Sequence, residues 1–90
     1  MRFQFETCCR KSFDKLDRSV QARIIQKLAY WIKSPNPLRY ADPLEGHSSL
    51  QKYRVGNYRI IVFPRPKEGI ITILKVGHRG NIYKHLEKLK

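Results

Sequence analysis

Three basic residues in one short segment have the types and the spacing to bind phosphate. The string K-Y-R-V-G-N-Y-R, which ends at Arg59, reads as two strands joined at Gly56-Asn57, because Gly followed by Asn between β-rich runs favours a two-residue hairpin turn. Counting outward pairs Arg54 with Arg59 and places Lys52 beside them on one face. Like charges facing each other destabilise a sheet by about 0.2–1 kcal/mol. This face is therefore predicted to bind an anion.

Side chains of these types could also cleave RNA without a metal ion. The 2′-OH attacks the neighbouring phosphorus when a base removes its proton, arginines stabilise the added negative charge, and an acid protonates the leaving 5′ oxygen. A lysine or tyrosine whose pKa is lowered by surrounding cations can transfer the proton. The sequence offers one set of suitable residues: Lys52, Arg54, Arg59, Arg79 and Tyr83.

Other kinds of catalytic or cofactor site lack support in the sequence. The seven acidic residues are scattered, and no pair has the spacing of a two-metal phosphodiesterase. No Cys/His spacing indicates zinc, and no Gly-rich loop resembles a nucleotide cradle. The sequence therefore predicts no metal and no other cofactor.

Composition bounds the class of protein and its partners. The 90 residues are predicted to form a single domain, residues 1–90, and the net charge of +12 implies a polyanionic partner such as nucleic acid or an acidic protein. No apolar run approaches a membrane span, and the first residues lack the apolar region of a signal peptide. Cys8 and Cys9 are adjacent and cannot staple distant segments, which favours a cytoplasmic location.

The elements that hold the basic residues follow from apolar periodicity. Residues 2–6 alternate and predict a first strand, and Cys9, Phe13 and Leu16 then form one stripe of a first helix. A second stripe, running as far as Lys33, predicts a second helix that pairs with the first as a helical hairpin. Its members are Val20, Ile24, Leu28, Trp31 and Ile32. Trp31 is interpreted as a core residue.

The second half of the chain is predicted to be mostly β-structure. Residues 34–49 contain three prolines and predict irregular structure. The hairpin follows, and the nearly continuous apolar run 70–76 predicts a central strand buried on both faces. The lysine-rich end predicts a short C-terminal helix or tail. The predicted fold is α+β: an N-terminal strand, a helical hairpin and a three-stranded antiparallel meander form one sheet with the helices packed on it.

Several strings together resemble one protein family. L-Q-K-Y-R-V-G-N-Y-R-I-I-V-F, followed after a turn by I-T-I-L-K-V-G-H-R-G-N-I-Y, resembles the C-terminal half of the RelE/ParE superfamily of toxins from type II toxin–antitoxin systems. S-F-D-K-L-D-R-S-V-Q-A-R-I and P-L-E-G resemble its helical hairpin and the loop after it. No single string is highly specific, but their order and spacing are, and the likeness covers essentially the whole chain.

The RelE branch implies an activity and a role for each site residue. Its members enter the ribosomal A site and cut mRNA there without a metal, so mRNA, ribosomal RNA and a cognate antitoxin are the implied partners. Lys52 would transfer a proton or contact phosphate, Arg59 and Arg79 would bind phosphate and transition-state charge, and Tyr83 would act as base or orient the 2′-OH. The residues predicted to contact RNA or phosphate are Arg54, Lys75, Lys84 and His85.

The sequence departs from this branch at one position. Leu50 stands where some RelE toxins have a second lysine, which leaves more than one candidate for the general base. Other branches use histidine, so the three histidines are also candidates. His78 is predicted to point away from the face of the arginine beside it and to be structural, His85 is a candidate accessory acid, and His47 lies in the irregular segment.

Two other functions are compatible with the sequence. A ParE-like gyrase inhibitor would use the same fold to bind a protein without catalysis, although such a binder needs no combination of Arg59, Arg79 and Tyr83. A non-catalytic module that binds RNA or antitoxin is the third reading. The sequence favours the ribosome-dependent mRNA endoribonuclease.

Overall fold

The computed structural model describes residues 1–80 and residue 82. In that part of the chain, two α-helices and five strands follow one another. They are β1 (Arg2–Phe5), α1 (Thr7–Asp14), α2 (Arg18–Ile32), β2 (Asp42–Leu44), β3 (His47–Val55), β4 (Tyr58–Arg65) and β5 (Ile70–His78). Two short 3₁₀ helices span Pro37–Tyr40 and Pro66–Glu68. The predicted α+β class is confirmed.

One five-stranded sheet holds the strands in the order β1-β5-β4-β3-β2. The strands β2, β3, β4 and β5 pair in an antiparallel manner, whereas β1 lies parallel to β5. Although β1 comes first in the sequence, it forms the edge of the sheet opposite β2, next to the last strand, β5. This arrangement makes β5 an interior strand, as its apolar sequence predicts.

The predicted three-stranded meander is wrong in one detail, because it omits β2. Residues 34–49 were predicted to be irregular, yet Asp42–Leu44 pairs with β3, and β3 itself begins at His47. Pro43 lies in β2 and lacks a main-chain N–H, which a strand tolerates at the edge of a sheet. The pairing also shifts register between Pro43 and Leu44. The edge position of β2 therefore accommodates a proline that, judged from the sequence alone, predicts irregular structure.

Both helices pack on one face of the sheet, and the predicted stripes are its core. The buried residues on the helices are Cys9, Phe13, Ile24, Leu28 and Trp31. Trp31 stacks on Tyr53 with ring centroids 4.4 Å apart, which confirms it as a core residue. Gln21 joins the helices, because its Nε2 donates to the carbonyl oxygens of Asp14 and Leu16 at 3.1 and 2.8 Å.

The face of the sheet that points away from the helices is called the outer face below. A smaller apolar cluster lies on it, formed by Leu44, Ile61 and Ile82. Strand β5 is less buried than predicted: Ile71, Ile73 and Val76 are buried, and the residues between them are half-buried. Arg79, Gly80 and Ile82 are helical, and the rest of the predicted C-terminal helix or tail lies outside the described residues.

No helix among the described residues combines the length and the apolar character that crossing a membrane requires.

Candidate active site on the outer face

The hairpin between β3 and β4 has the register that the sequence predicts. Val55 pairs with Tyr58 around the turn, and Arg54 pairs with Arg59. Gly56 takes a φ of 58°, whereas Asn57 keeps a negative φ, so only one of the two turn residues uses the left-handed region. This is the pattern of a type II′ turn, which places Gly first.

The register places Lys52, Arg54 and Arg59 together on the outer face. Their side chains alternate with those of Tyr53, Val55 and Ile60, which are buried against the helices. Directly paired residues have Cα atoms about 4.5–5.5 Å apart, and residues two apart on one strand lie about 7 Å apart. The three cationic residues therefore start from one small area of the sheet.

Arg59 is held against the hairpin turn by two hydrogen bonds. Its Nη1 donates to the carbonyl oxygens of Gly56 and Tyr58, at 3.0 Å each. A guanidinium has five N–H donors, so Nε and Nη2 remain on one edge of the planar group. That edge matches the bidentate geometry in which arginine binds phosphate.

Arg79 is brought to the same turn from the end of β5. Its main-chain N–H donates to the carbonyl oxygen of Asn57 at 2.8 Å, and its side chain is exposed. Arg79 and Arg59 are 20 positions apart in sequence, and the two residues are anchored to the same two-residue turn. The guanidinium of Arg59 and the main chain of Arg79 are therefore anchored at the same end of the sheet.

Arg23 of α2 also reaches this turn, and sequence reasoning missed it. A Cβ at Gly56 would lie 2.8 Å from Nη2 of Arg23, so the guanidinium occupies the space that the missing side chain leaves. Helix α2 carries several exposed cations, and nothing in their spacing distinguishes Arg23. Its place becomes visible only when the helix is packed on the sheet.

Asp42 is the second residue that sequence reasoning missed. It lies opposite Lys52 in the pairing of β2 with β3, and its Oδ2 is 3.9 Å from Nε of Arg54. Both side chains of this ion pair are more than half exposed, so it contributes about 0–1 kcal/mol. The acid nevertheless reduces the repulsion among the cations of the outer face.

Lys75 owes its position to an irregularity in β5. Ile61 pairs with Lys75 and Val62 with Ile73, so Leu74 is an extra residue in the ladder. Such bulges re-aim the side chains around them. Lys75 thus comes opposite Ile61, half-buried. Its charge also opposes the rise in the pKa of the Cys9 thiol that burial causes.

Cys9 and Tyr53 have perturbed pKa values, and both lie on the helix side of the sheet. Burial raises the pKa of the Cys9 thiol to about 11, with the charge of Lys75 opposing it. Burial also raises the pKa of Tyr53 to about 12, and its hydroxyl donates to the carbonyl oxygen of Pro37 at 2.8 Å. Both groups stay protonated near neutral pH and act as packing groups.

Of the remaining candidates, the structure describes two histidines and leaves three residues outside its described part. His78 packs edge-on against Tyr58, with ring centroids 5.8 Å apart, and its structural role stays a prediction. His47 is half-buried at the start of β3. Three predicted site residues lie outside the described residues: Tyr83, Lys84 and His85.

Ile82 covers the centre of the outer face. It is 1% exposed and packs with Leu44 and Ile61, and a Cβ at Gly77 would lie 3.6 Å from its own Cβ. Ile82 therefore packs against the outer face close to Arg59, because Gly77 pairs with Arg59. Within residues 1–80 and 82, no three His, Cys, Asp or Glu side chains form a group that could hold a metal ion.

Comparison with known proteins identifies relatives of the whole domain. The family model of the ParE toxin of the type II toxin–antitoxin system, parDE, matches residues 5–83. A comparison with curated proteins gives no significant match.

Solved structures give further matches over nearly the full chain. The RelBE2 toxin–antitoxin complex from Mycobacterium tuberculosis matches with 26% identity and a TM-score of 0.75, covering 89% of this chain and 92% of the other. The archaeal RelE–RelB complex from Pyrococcus horikoshii also has 26% identity, with a TM-score of 0.68 and coverage of 89% and 96%. The isolated E. coli RelE toxin matches in fold, with 21% identity, a TM-score of 0.71 and coverage of 98% and 96%.

Proposed function

The chain belongs to the ParE toxin family of type II toxin–antitoxin systems and has a RelE-like fold, and from this premise we propose that it is a metal-independent mRNA endoribonuclease. It acts on mRNA in the ribosomal A site and so blocks translation. Lys52, Arg59, Arg79 and Tyr83 are the proposed catalytic residues. Arg54, Lys75, Lys84 and His85 are proposed to contact RNA or phosphate.

One observation carries the proposal: Arg59 and Arg79 are anchored to the same turn, beside Lys52 and Arg54. Arg59 donates to the carbonyl oxygens of Gly56 and Tyr58, and the N–H of Arg79 donates to that of Asn57. The guanidinium of Arg59 and the main chain of Arg79 are thus held at one turn, which supports the proposal that their charges act on one phosphate. Preorganised cations of this kind are what a phosphoryl transition state requires.

The proposed reaction uses the 2′-OH of the message as nucleophile. Its oxygen forms a bond to the adjacent phosphorus while the bond from phosphorus to the 5′ oxygen breaks, which leaves a 2′,3′-cyclic phosphate and a free 5′-OH. Lys52 or Tyr83 accepts the proton of the 2′-OH, and an acid returns one to the 5′ oxygen. Arg59 and Arg79 bind the phosphate oxygens, on which negative charge increases.

The proposed partners are a cognate antitoxin and the translating ribosome. Relatives of this chain were solved as RelE toxins with RelB antitoxins, which supports an antitoxin here. The net charge of +12 suits both an acidic antitoxin segment and ribosomal RNA. A cytoplasmic location follows from these partners as part of the proposal.

A ParE-like gyrase inhibitor is the second candidate, because the matching family model is that of ParE toxins. Such a toxin binds a protein and needs no catalytic group. Expression in cells separates the two functions. A nuclease stops translation and leaves cleaved transcripts, whereas a gyrase poison causes DNA damage and filamentation.

Substitution of the proposed catalytic residues tests the proposal directly. Arg79→Ala and Tyr83→Ala should each abolish growth inhibition, because losing one transition-state partner lowers the rate by about 10²–10³-fold. Arg39→Ala is the matched control, since Arg39 is an exposed arginine of the Pro37–Tyr40 helix and is not one of the proposed site residues. Undiminished growth inhibition by both Arg79→Ala and Tyr83→Ala would overturn the nuclease assignment.

A further inference from the structure

A groove separates α2 from the end of β3 and is called the helix–hairpin groove below. Its volume is about 500 Å³, which lies within the range of small-ligand sites, roughly 300–1,000 Å³. Its lining includes Arg23, Lys27 and Tyr30 from the helix, and Arg54, Val55 and Gly56 from the hairpin. It opens on the side of the hairpin opposite the outer face.

The charges of this groove have one sign. Arg23 and Lys27 supply two cations from the helix, the charge of Arg54 belongs to the outer face, and none of the described residues that line the groove is acidic. Arg23, Lys27 and Tyr30 follow one another at intervals of four and three, which places them on one side of α2. The core stripe of the same helix occupies another side, so this basic stripe is not needed for packing. The groove therefore suits an extended anion.

Tyr30 gives the groove an aromatic surface. It is 63% exposed, and it meets Tyr40 edge-on, with ring centroids 5.9 Å apart. An exposed ring beside cations is the combination with which proteins bind single-stranded nucleic acid, because the ring stacks on a base while the cations contact the phosphates. An acidic peptide would use the cations but has no general use for the ring.

The edge of β3 adds main-chain groups to the same wall. Strand β2 pairs with β3 only as far as Lys52. In an antiparallel ladder the main-chain groups of successive residues point to alternate sides. Val55 and Tyr58 flank the turn and form a hydrogen-bonded pair. The main-chain N–H and C=O groups of Arg54 therefore point away from β4, towards the side that β2 leaves uncovered.

The groove is continuous with the outer face through the hairpin turn. Arg23 lies against Gly56 on one side, and Arg59 donates to the carbonyl oxygen of the same Gly56. Cations therefore surround the turn, from Arg59 and Arg79 on one side to Arg23 and Lys27 on the other. A strand bound at the first pair can pass the turn and reach the second.

We propose that the helix–hairpin groove is a second subsite for single-stranded RNA, which holds a phosphate and a base next to the segment on the outer face. Arg23 and Lys27 bind the phosphate, and the base stacks on Tyr30. The inference rests on the proposed function, because it assigns a further contact to the same RNA substrate.

Binding of a non-cleavable RNA tests this subsite. A fluorescent 2′-O-methyl RNA of about ten nucleotides matches the length that such sites cover, roughly 4–16 nucleotides. The double variant Arg23→Gln/Lys27→Gln should bind it more weakly, and log K should fall less steeply with log salt, by roughly 0.7 for each phosphate that the variant no longer neutralises. The matched control is Arg18→Gln/Lys33→Gln, which removes the same charge from exposed positions at the two ends of α2.

Tyr30 variants test base stacking on its own, because they leave the charge of the protein unchanged. They are independent of the double variant. Tyr30→Ala should weaken RNA binding at least about fivefold, the lower end of the effect of losing one base–aromatic stack. Tyr30→Phe keeps the ring and should bind as the unchanged protein does. Ile25→Ala, at another exposed position of α2, should have no effect.

The outcomes separate the subsite from the proposed function. Groove variants that bind RNA as their controls do overturn the subsite, and weaker antitoxin binding by the same variants would then assign the groove to an acidic antitoxin segment. Failure of the unchanged protein to bind the RNA also overturns it. Absence of transcript cleavage in cells overturns the proposed function instead, whatever the groove binds.

Discussion

At the scale of single residues, hydrogen bonds fix both the position and the orientation of the Arg59 guanidinium. Its Nη1 donates to the carbonyl oxygens of Gly56 and Tyr58, which leaves Nε and Nη2 for a ligand. A lysine would keep the charge but lose this orientation, because an ammonium is a point charge on a flexible chain.

Arg59→Lys should therefore lower the rate of message cleavage substantially, by about 10-fold to 100-fold, since the misplaced charge stabilises the transition state poorly. The rate is followed by primer extension on one transcript after induction. Arg39→Lys, the same change at an exposed position outside the site, should cleave as the unchanged protein does. Equal cleavage by Arg59→Lys would show that orientation of the guanidinium is unimportant.

The raised pKa of Tyr53 predicts that the protein loses stability at alkaline pH. The unfolded chain releases the phenol proton near pH 10, while the folded protein keeps it to about 12 because the ring is buried. The free energy of unfolding therefore falls over this window, by about 2–3 kcal/mol from this group. Lysines titrate in the same range, so the quantity to measure is the difference between the protein and Tyr53→Phe.

That difference should favour the unchanged protein by about 1–3 kcal/mol below pH 10, because Tyr53→Phe leaves the buried carbonyl oxygen of Pro37 without its hydrogen bond. It should decline steadily between pH 10 and 12. Urea unfolding at several pH values measures it. A constant difference across the window would contradict the assignment of the raised pKa to Tyr53.

Sequence reasoning reached some of these residues and not others. Lys52, Arg54 and Arg59 could be assigned to one face because a two-residue turn fixes the register by counting. Asp42 and Arg23 could not, since they reach the site through β2 and through helix packing, which the local pattern does not encode. Whether Tyr83 joins them stays a prediction.

At the scale of elements, the hairpin turn is the structural centre of the proposed site. Gly56 combines a φ of 58° with a missing Cβ that leaves room for Arg23. Any other L-residue there meets two penalties: an unfavourable backbone conformation, and contact with a guanidinium. Gly69 has a φ of 69° and nothing within 4 Å of where a Cβ would be. The two glycines therefore separate these effects.

Gly56→Ala and Gly69→Ala should each lower the free energy of unfolding by about 1–2 kcal/mol, the cost of a left-handed backbone for a residue with a Cβ. Gly56→Ala should in addition displace Arg23 and weaken binding of single-stranded RNA. Thermal or urea unfolding measures the first effect, and fluorescence anisotropy the second. Equal RNA binding by the two variants would mean that Arg23 makes no contact with the strand.

The elements themselves were predicted with two informative errors. The helices, the first strand and the hairpin followed from periods of 3.6 and 2, because each buries one face. Strand β2 was missed since Pro43 is tolerated only through its edge position, which is a property of the sheet. The extra residue Leu74 breaks the alternation of β5, and no local signal in an apolar run marks such a bulge.

At the scale of the whole molecule, the net charge indicates the class of partner, whereas the fold indicates the family. The net charge of +12 predicts a polyanionic partner but does not distinguish RNA from an acidic antitoxin. Family membership and fold identify a toxin of a toxin–antitoxin system. Our proposal of a nuclease rather than a gyrase inhibitor rests on the arrangement of Arg59 and Arg79 around one turn.

Mapping of transcript ends after induction, with and without translating ribosomes, tests the proposed nuclease activity most directly. We predict new 5′ ends within coding regions, carrying a free 5′-OH, which appear only on translated messages and disappear with Arg79→Ala. Intact transcripts together with DNA damage would contradict this prediction and leave the gyrase inhibitor.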